Sequence, residues 1–347
     1  MRLKTGKLDS DVLQSAVLDK IVYKRPEVRV GAGIGEDCAV ISFGDYDCVV
    51  STDPITASVA DAGRLSIFIS CNDIASNGVE PLAVMLTILL PAGTTSEEAG
   101  QIMSQAAGAA EKVGVQIAGG HTEVTDTVNR PVIVSTAFGR AKAGRSQTAA
   151  DMRAGHRLLL TKCAGLEGTG IICRERADEL MAVLTGKELE RGIAMLDSVS
   201  VIDEGVTAGH IGTSGMHDVT EGGVLGAVWE MCRVGGLGAE VTEKDIPVDD
   251  VTLKVAEHFG IDWMRLISSG CMLIAADDEH AERIKAALSE RSIRCTQIGK
   301  VCEREYGVML KRADGSRMEI APPGADELDR EHTSELQSRS AISYAVF

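Results

Sequence analysis

Strand-like and helix-like segments alternate along the first half of the chain. Residues 62–78 and 96–113 have the spacing of packed helices, and the second follows the capping-box pattern Thr95-Ser-Glu-Glu98. Runs rich in aliphatic and β-branched residues, closed by Gly, Pro or Asp, are typical of strands and cover residues 47–52, 82–90, 115–118 and 131–138. Interleaved elements of this kind build layered folds, so we predict an α/β protein.

A polar stretch of small residues, 141–155, separates this half from a second one. Strand-like runs in the second half cover residues 157–161, 270–276, 295–301 and 307–310. Helical patterns cover residues 177–184, 196–208, 223–234, 251–258 and 280–291. A chain of 347 residues has the length of about two domains. We predict an N-terminal domain over residues 1–145, a C-terminal domain over 146–325 and a disordered tail over 326–347.

The charge of the chain argues against two classes of partner. Lys and Arg total 35 and Asp and Glu total 51, which gives a net charge of −16. Such a protein repels phosphate backbones and anionic lipid, so neither nucleic acid nor a membrane is expected as a partner. The longest apolar run, residues 82–91, is about half the length that spans a bilayer. The nine cysteines include no C-x-x-C pair, which indicates a reducing cytoplasm and no zinc ribbon or disulfide framework.

Four short segments each place an acidic or polar side chain at a strand end or a glycine turn. They are Gly35-Glu-Asp-Cys38, Ser51-Thr-Asp-Pro54, Cys71-Asn-Asp-Ile74 and Gly119-Gly-His-Thr-Glu123. Loops that follow strands are where open α/β sheets bind ligands. Carboxylates gathered there repel each other without a cation, and Mg²⁺ binds carboxylates together with substrate phosphates. Each segment alone is typical of a turn or a helix cap, but their ordered recurrence favours a metal and phosphate site.

The glycine loops of common nucleotide-binding folds are missing from the sequence. Gly31-Ala-Gly-Ile-Gly35 precedes Glu36, which stands where a Rossmann fingerprint needs its third glycine, and no G-x-x-x-x-G-K-[ST] sequence occurs. Gly165-Leu-Glu-Gly-Thr-Gly170 fits an anion-binding helix N-terminus and a simple tight turn equally well. Neither a G-x-S-x-G nucleophile elbow nor H-E-x-x-H is present, so hydrolase and metalloprotease functions lack support.

Met216-His-Asp-Val-Thr-Glu-Gly-Gly-Val224 is the most informative segment of the second half. Asp218, Thr220 and Glu221 precede a helical pattern that opens with two glycines, so they fit either caps of that helix or groups that reach a ligand over the glycines. A cap needs only one of the three groups. His217 beside them is more typical of a packed or solvated histidine than of a ligand.

The order of these segments resembles the aminoimidazole ribonucleotide synthetase superfamily, which has the AIR synthase-like, or PurM-like, fold. Its members include selenophosphate synthetase, thiamine-monophosphate kinase and the hydrogenase-maturation carbamoyl dehydratase. The resemblance covers about residues 10–322. The segments that carry it are Gly35-Glu-Asp-Cys-Ala-Val40, Ser51-Thr-Asp53, Cys71-Asn-Asp-Ile-Ala-Ser-Asn-Gly-Val-Glu-Pro81, Gly119-Gly-His-Thr-Glu123, Gly139-Arg140, Met216-His-Asp-Val-Thr-Glu-Gly-Gly223 and Ser269-Gly270.

The resemblance implies a two-domain α/β subunit whose N-terminal mixed sheet closes a barrel in a homodimer and whose C-terminal domain is an α/β sandwich. It implies ATP and Mg²⁺ as cofactors. By the resemblance, the metal ligands are Asp37, Asp53, Asp73, Asp218 and Glu221. The implied ATP contacts are Ser51, Thr52, Asn72, Gly119, Gly120, His121, Thr122, Arg140, Thr220, Gly222 and Gly223. In such families ATP phosphorylates a carbonyl or amide oxygen or donates its phosphoryl group outright, and positioning plus charge neutralisation suffices for either.

Three departures bear on the assignment. His121 stands where the family usually has Asp or Glu, and Val59-Ala60-Asp61 stands where thiamine-phosphate kinases have a His-Phe pair. The residues and spacing of the shared segments are closest to the hydrogenase-maturation branch. The sequence nevertheless lacks that branch's terminal Pro-Arg-Ile-Cys, and its last cysteine is Cys302. Either the natural terminus has been replaced or the chain is a paralogue with a different acceptor, and we expect the paralogue. We therefore expect an enzyme that acts on a small-molecule or protein-borne amide or carbonyl. The alternatives are a nucleotide-binding scaffold or regulator without turnover and, third, a thiamine-monophosphate kinase.

Overall fold

The computed structural model describes residues 3, 8, 10–56, 61–323 and 327 of the chain. Two predictions fall largely outside these residues. The tail predicted over residues 326–347 is one, since only Glu327 of it is described. The other is the comparison of Val59 and Ala60 with the His-Phe pair of thiamine-phosphate kinases, since neither residue is described.

The described residues form two compact units. The first reaches to Ala75 and resumes over Val79–Ser146, and the second contains Ser76–Gly78 and the residues from Gln147 onward. Each unit contains one β-sheet with helices, so the predicted α/β class is confirmed. Within the described residues, no helix combines the length and the apolar character needed to cross a bilayer.

The first unit contains six strands in one sheet, in the order β1-β2-β3-β6-β4-β5. Its elements are α1 (Ser10–Ala16), β1 (Val28–Val30), β2 (Ala39–Phe43), β3 (Tyr46–Ile55), α2 (Ala62–Ser76), β4 (Pro81–Pro91), α3 (Ser96–Val113), β5 (Gln116–Thr125) and β6 (Val132–Lys142). Neighbouring strands are antiparallel, except that β4 and the edge strand β5 run parallel. The predicted capping box is present, because the Thr95 side chain accepts from the Glu98 N–H and the Glu98 side chain accepts from the Thr95 N–H.

Burial alternates along the central strands of this sheet, as side chains of period two require. On β3, odd-numbered residues from Asp47 to Ile55 are buried, and even-numbered residues from Tyr46 to Pro54 are partly or fully exposed. Helix α2 is buried almost all round, which is typical of a helix enclosed in a core. A side chain at Gly63 would meet the Ile102 carbonyl of α3 at 2.0 Å, so the two helices pack backbone to backbone. We call the exposed side of the sheet its open face.

The second unit contains seven strands in the order β13-β12-β9-β11-β7-β10-β8. Its elements are β7 (Arg157–Thr161), α4 (Leu166–Glu175), α5 (Ala177–Leu180), α6 (Gly186–Ala194), α7 (Ile202–Ile211), β8 (Gly215–Asp218), α8 (Gly223–Gly235), β9 (Gly238–Thr242), α9 (Asp250–Phe259), β10 (Met272–Ala276), α10 (Asp278–Glu290), β11 (Cys295–Cys302), β12 (Val308–Lys311) and β13 (Arg317–Glu319). One aliphatic core includes residues of α8, and a second lies on the side of α7 and α10. Strands β7 and β10 are thus buried on both faces, as their continuous apolar sequences indicate.

Two predicted helices of this unit differ from the observed ones. The helix predicted over residues 177–184 ends at Leu180, because Thr185 adopts an extended conformation and caps a new helix, α6. The helix predicted over residues 196–208 is divided into a 3-10 turn, Met195–Ser198, and α7. Between them the Ser198 and Ser200 carbonyls accept from Lys162 Nζ, a contact between distant residues that local sequence does not encode.

Candidate functional site

Two of the predicted metal ligands in the first unit, Asp53 on β3 and Asp73 on α2, are buried beside the sheet. Both have side chains with no exposed surface. Ser51 shares the buried face of β3 with Asp53, and its hydroxyl donates to Asp73 Oδ2. Asn72 beside Asp73 is equally buried. Strand β3 and helix α2 thus bring the Ser51 hydroxyl to the Asp73 carboxylate, and Asp53 lies two residues further along the same buried face of β3.

The loop before β2 adds the third predicted acidic ligand of this unit to the same neighbourhood. Cys38 Sγ donates to the backbone carbonyl of Asp73 at 3.1 Å. Asp37 precedes Cys38, so its backbone is held next to α2, and the residue is partly exposed to solvent. The sequence analysis missed both the Cys38 anchor and Ser135. Ser135 is the residue of β6 paired with Asp53, and its hydroxyl has no hydrogen-bond partner among the residues that the structure describes.

Two predicted ATP contacts lie on the other side of the sheet from this buried group. Thr52 is exposed, and its hydroxyl is 2.9 Å from that of Thr136 across the β3–β6 pair. Arg140 is also exposed, with its guanidinium 5.1 Å from the ring centroid of Tyr46. Because successive residues of a strand face opposite ways, Ser51 and Thr52 cannot serve the same face of one sheet. The structure therefore brings Ser51 together with Asp73 but leaves Thr52 and Arg140 on the open face.

The paired glycines and the three polar residues after them lie on the edge strand β5. Gly120 approaches β4 so closely that an added Cβ would lie 1.8 Å from the Leu86 carbonyl oxygen, which accounts for glycine at that position. His121 and Thr122 are exposed, and His121 Nε2 lies 3.1 Å from Glu123 Oε2. A carboxylate is thus present next to His121, two positions beyond the one where the family usually has it.

In the second unit, β8 ends at Asp218, and a buried turn leads from it to α8. Asp218, Thr220 and Glu221 are all at least nine-tenths buried. Pairing of Asp218 with Met272 of β10 fixes the end of β8 in the sheet. The first residue of α8, Gly223, has a positive φ of 60°, and a Cβ there would lie 2.6 Å from the Met264 carbonyl oxygen. Glycine is therefore required where the turn passes this neighbouring segment.

The side chains of this turn are not ordinary caps. The N-cap residue of α8 is Gly222, which has no side chain to cap with, and the Gly223 N–H donates to the Thr220 backbone carbonyl at 3.1 Å. Asp218 Oδ2 is buried and has no hydrogen-bond partner among the described residues. A buried carboxylate oxygen of this kind is costly unless it meets a cation or a donor. The N-cap position itself therefore offers no capping side chain, and a ligand role for Asp218, Thr220 and Glu221 stays a prediction.

A buried pair that the sequence analysis missed lies next to Asp218. His217 Nε2 is 3.2 Å from Glu230 Oε2 of α8, and His217 Nδ1 is 3.9 Å from Asp218 Oδ1. Glu230 lies thirteen residues from His217 in sequence, on the helix that packs against β8, and no local pattern pointed to it. The predicted interpretation of His217 as a packed histidine agrees with its side-chain exposure of 7%.

The glycine-rich segment Gly165–Gly170 serves close packing. The Gly165 N–H donates to Ser268 Oγ at 2.6 Å, and the Gly168 N–H donates to the Ile267 carbonyl at 3.0 Å. Added Cβ atoms at Gly168 and Gly170 would lie 2.5 Å and 2.6 Å from leucine side chains. These two N–H groups are committed inside the unit, which argues against an anion site. The segment is not a simple tight turn either, because it begins helix α4 with Gly165 as its N-cap.

The donor sets in both units fit Mg²⁺. Asp37, Asp53 and Asp73 in the first unit and Asp218 and Glu221 in the second offer carboxylate oxygens, which are the ligands that Mg²⁺ prefers. The unpartnered Asp218 Oδ2 is the clearest sign of such a ligand role. That these sets hold metal and ATP together stays a prediction.

Comparison with protein families assigns most of the chain. Residues 35–141 match the model of the AIR synthase related protein, N-terminal domain. Residues 153–311 match the model of the AIR synthase related protein, C-terminal domain. The two matched segments follow each other in the order that the sequence analysis predicted from its motifs.

Relatives of known name support the same grouping. The chain is 25% identical over 326 residues to a protein of Methanocaldococcus jannaschii named for hydrogenase expression and formation, which covers 90% of this chain and 94% of the relative. It is 28% identical over 283 residues to carbamoyl dehydratase HypE of Escherichia coli, with coverage of 80% and 81%. The solved structure of E. coli HypE superposes with a TM-score of 0.72 at 23% identity and covers 92% of this chain and 99% of that one. The predicted two-domain fold is confirmed by this match.

Proposed function

Because the chain belongs to the AIR synthase related protein family, we propose that it is an ATP- and Mg²⁺-dependent enzyme that activates an amide or carbonyl oxygen by phosphorylation. One relative is named a carbamoyl dehydratase and another a selenide, water dikinase. A similar fold has been solved as a hydrogenase maturation protein HypE in complex with ATP. The buried carboxylate of Asp218, whose Oδ2 has no partner among the described residues, is the observation that carries the proposal.

In the proposed reaction, an amide or carbonyl oxygen attacks the γ-phosphorus of ATP. The new O–P bond forms as the bond from the γ-phosphorus to ADP breaks. The C–O bond of the phosphorylated substrate then breaks, and inorganic phosphate leaves with the former substrate oxygen. A primary amide gives up its two N–H protons as the carbon–nitrogen triple bond forms, and at another carbonyl carbon a nucleophile takes the place of phosphate. Asp53 and Asp73 would hold Mg²⁺, and Ser51 fixes the orientation of Asp73 through its hydrogen bond. Mg²⁺ supplies neutralisation of the phosphate charge that develops during transfer. In the second unit, considered by itself, the N-terminus of α8 favours anionic groups through its helix dipole.

The path of oxygen tests this function. With a primary amide labelled with ¹⁸O, such as a carbamoyl thioester or carbamoyl phosphate analogue, we expect the label to appear in inorganic phosphate in an ATP- and Mg²⁺-dependent manner. Mass spectrometry of the released phosphate measures it, and the Asp73→Asn variant is the control. Phosphate released without label would reduce the activity to ATP hydrolysis and contradict the proposed activation step.

A binding role without turnover is the alternative, and His121 is the observation that favours it. The residue replaces an acidic group that the family usually has, and it pairs with Glu123 on the exposed edge strand. Saturable ATP binding, together with no phosphate release from any amide in the ¹⁸O experiment, would support this scaffold or regulatory role.

We further propose a cytoplasmic location. It agrees with the state of the nine cysteines, since all of them are described and all are free thiols.

We also propose that the protein is a homodimer joined through the open face of the first unit's sheet. This face exposes the large apolar side chains of Phe43, Tyr46 and Met85. Apolar side chains gathered on one sheet face mark a surface that is covered in solution. A second copy of the same face would also cover the long edge strand β5, which otherwise invites uncontrolled pairing.

Met85→Lys is expected to convert the dimer into monomers, because it buries a charge in an apolar interface. The matched control is Met103→Lys on α3, since Met103 is similarly exposed, 37% against 45% for Met85, but lies on the helical side of the sheet. Light scattering coupled to size exclusion measures the mass of both variants. A Met85→Lys protein that remains dimeric, or a wild type that is monomeric, would contradict the interface.

A further inference from the structure

Lys162, the residue that follows β7, combines two uncommon features. Its backbone has a φ of +52°, in the left-handed region that residues other than glycine rarely adopt. Its side chain is also only 21% exposed, which is uncommon for lysine. Both features require contacts elsewhere in the fold to maintain them. No part of the proposed ATP site uses this residue.

Four oxygens surround the Lys162 ammonium group. Nζ lies 2.6 Å from the Ser200 carbonyl, 2.9 Å from the Gly270 carbonyl and 3.2 Å from the Ser198 carbonyl. The fourth oxygen is Glu204 Oε1 at 2.6 Å. An ammonium group has three N–H donors, so four oxygens exceed its hydrogen-bonding capacity. We call these four oxygens with Lys162 Nζ the carbonyl cage.

This arrangement is the ligand set of a spherical cation. Several backbone carbonyls and one carboxylate are what a large monovalent cation binds in proteins, and NH4⁺ and K⁺ are close in size to the head of a lysine. Glu204 is 2% exposed, and burial raises the pKa of its carboxyl group, so its ionised form depends on a cation nearby. A neutral occupant of the cage would leave the buried charge of Glu204 uncompensated.

We propose that the ammonium group of Lys162 occupies a binding site for a monovalent cation, and that NH4⁺ or K⁺ binds in the carbonyl cage when the Lys162 side chain is removed. The cage joins three segments of the second unit: the Ser198–Ser200 junction, helix α7 through Glu204, and the turn at Gly270. At that turn an added Cβ would lie 2.5 Å from the Ser198 carbonyl oxygen, so the segments are in direct contact. The carbonyls converge on one point with the cation at its centre.

The Gly270 turn connects the cage to the segment of Asp218. Strand β10 begins at Met272, and Met272 pairs with Asp218 at the end of β8. The Val219 N–H also donates to the Cys271 carbonyl at 2.9 Å. A cation in the cage therefore fixes the backbone two residues before Met272, the residue that pairs with Asp218. The proposal nevertheless concerns the second unit by itself and does not depend on the proposed function.

Removal of the side chain and addition of salts test the proposal. Lys162→Gly deletes the ammonium and suits the left-handed backbone, because glycine adopts positive φ without strain. The melting temperature is measured in NH4Cl, KCl, NaCl and choline chloride at equal ionic strength. The matched control is Lys254→Ala, because Lys254 Nζ also contacts a carboxylate, Glu188, at 2.6 Å but lies 42% exposed.

NH4⁺ and K⁺ are expected to raise the melting temperature of Lys162→Gly by about 4–8 °C relative to choline. Wild type and Lys254→Ala should show no such preference among the salts. The double variant Lys162→Gly/Glu204→Gln should lose the effect, because the latent site then lacks its carboxylate. Equal melting temperatures of Lys162→Gly in NH4⁺, K⁺ and choline overturn the proposal, and so does the same preference in wild type.

A measurement on the wild-type protein covers the case in which Lys162→Gly does not fold. Ammonium protons that are hydrogen-bonded and shielded exchange slowly with water, so a ¹H–¹⁵N spectrum of the lysine Nζ groups should contain a protected signal. That signal should be absent from the Lys162→Gln variant. A spectrum in which no protected Nζ signal depends on Lys162 overturns the cage.

Discussion

Asp73→Asn is expected to weaken Mg²⁺-dependent ATP binding at least about 100-fold, since even groups that only orient metal ligands contribute about 10–100-fold. The carboxylate is fully buried, and the Ser51 hydroxyl directs its Oδ2. An amide of the same shape keeps the volume but loses the negative charge that binds the metal. Titration calorimetry with ATP in the presence and absence of Mg²⁺ measures the loss.

Folding and ligand binding can be separated for this variant. Without metal, Asp73→Asn should melt no earlier than wild type, because it removes one fully buried negative charge. The rise in melting temperature that Mg²⁺ and ATP give to wild type should disappear, as linkage requires when binding is lost. Asp53→Asn should behave in the same way.

Asp47→Asn is the matched control for both variants. Asp47 lies on the same buried face of β3, but Arg29 and the Gly144 N–H already engage its carboxylate. This variant should lose stability and retain ATP binding. Retained Mg²⁺-dependent binding in both Asp53→Asn and Asp73→Asn would remove these residues from the metal site.

Gly223→Ala is expected to destabilise the second unit by about 2–4 kcal/mol, combining the cost of a left-handed backbone with a backbone clash. The φ of Gly223 is +60°, and an added Cβ would lie 2.6 Å from the Met264 carbonyl and 2.8 Å from Arg265 Cα. Backbone atoms cannot move aside as a flexible side chain does. We expect the melting transition to fall by about 4–16 °C, at 2–4 °C for each kcal/mol.

Gly236→Ala at the other end of α8 separates the two contributions to this loss. Gly236 has a φ of +65°, but nothing lies within 4 Å of the position where its Cβ would be. It should cost only about 1 kcal/mol, which is the backbone contribution alone. Denaturant unfolding of the two variants gives the difference. Equal losses would show that the contact with Met264 and Arg265 has no energetic consequence.

Much of the fold follows from local patterns in the sequence. Helix α3 was predicted with the bounds that the structure has, because Thr95 and Glu98 form a capping box and the apolar spacing is regular. Strand β7 was likewise predicted over the observed residues, since a short apolar run flanked by polar residues has few alternatives. The short strands β8 and β9 were missed because glycine and charged residues interrupt their patterns.

The candidate site was predicted in part. The sequence identified Asp53, Asp73 and Asp218, because acidic residues recur at the ends of strands and beside glycines. It could not identify Glu230 or Ser135, since each acquires its place only from a distant strand or helix. Nor could the sequence show that Ser51 lies on the buried face of β3 and Thr52 on its open face, because the packing of the whole sheet decides which face of a strand is buried.

The sequence by itself determined the α/β class, the family and the chemical character of the site, because periodicity, glycine turns and carboxylates are properties of local sequence. The tertiary structure decided which of those groups meet. It brings Ser51 and Cys38 to Asp73, leaves Thr52 and Arg140 on the open face, and surrounds Lys162 with oxygens from three segments. Such contacts join residues far apart in the chain, and their energies depend on burial and packing that only the folded unit defines.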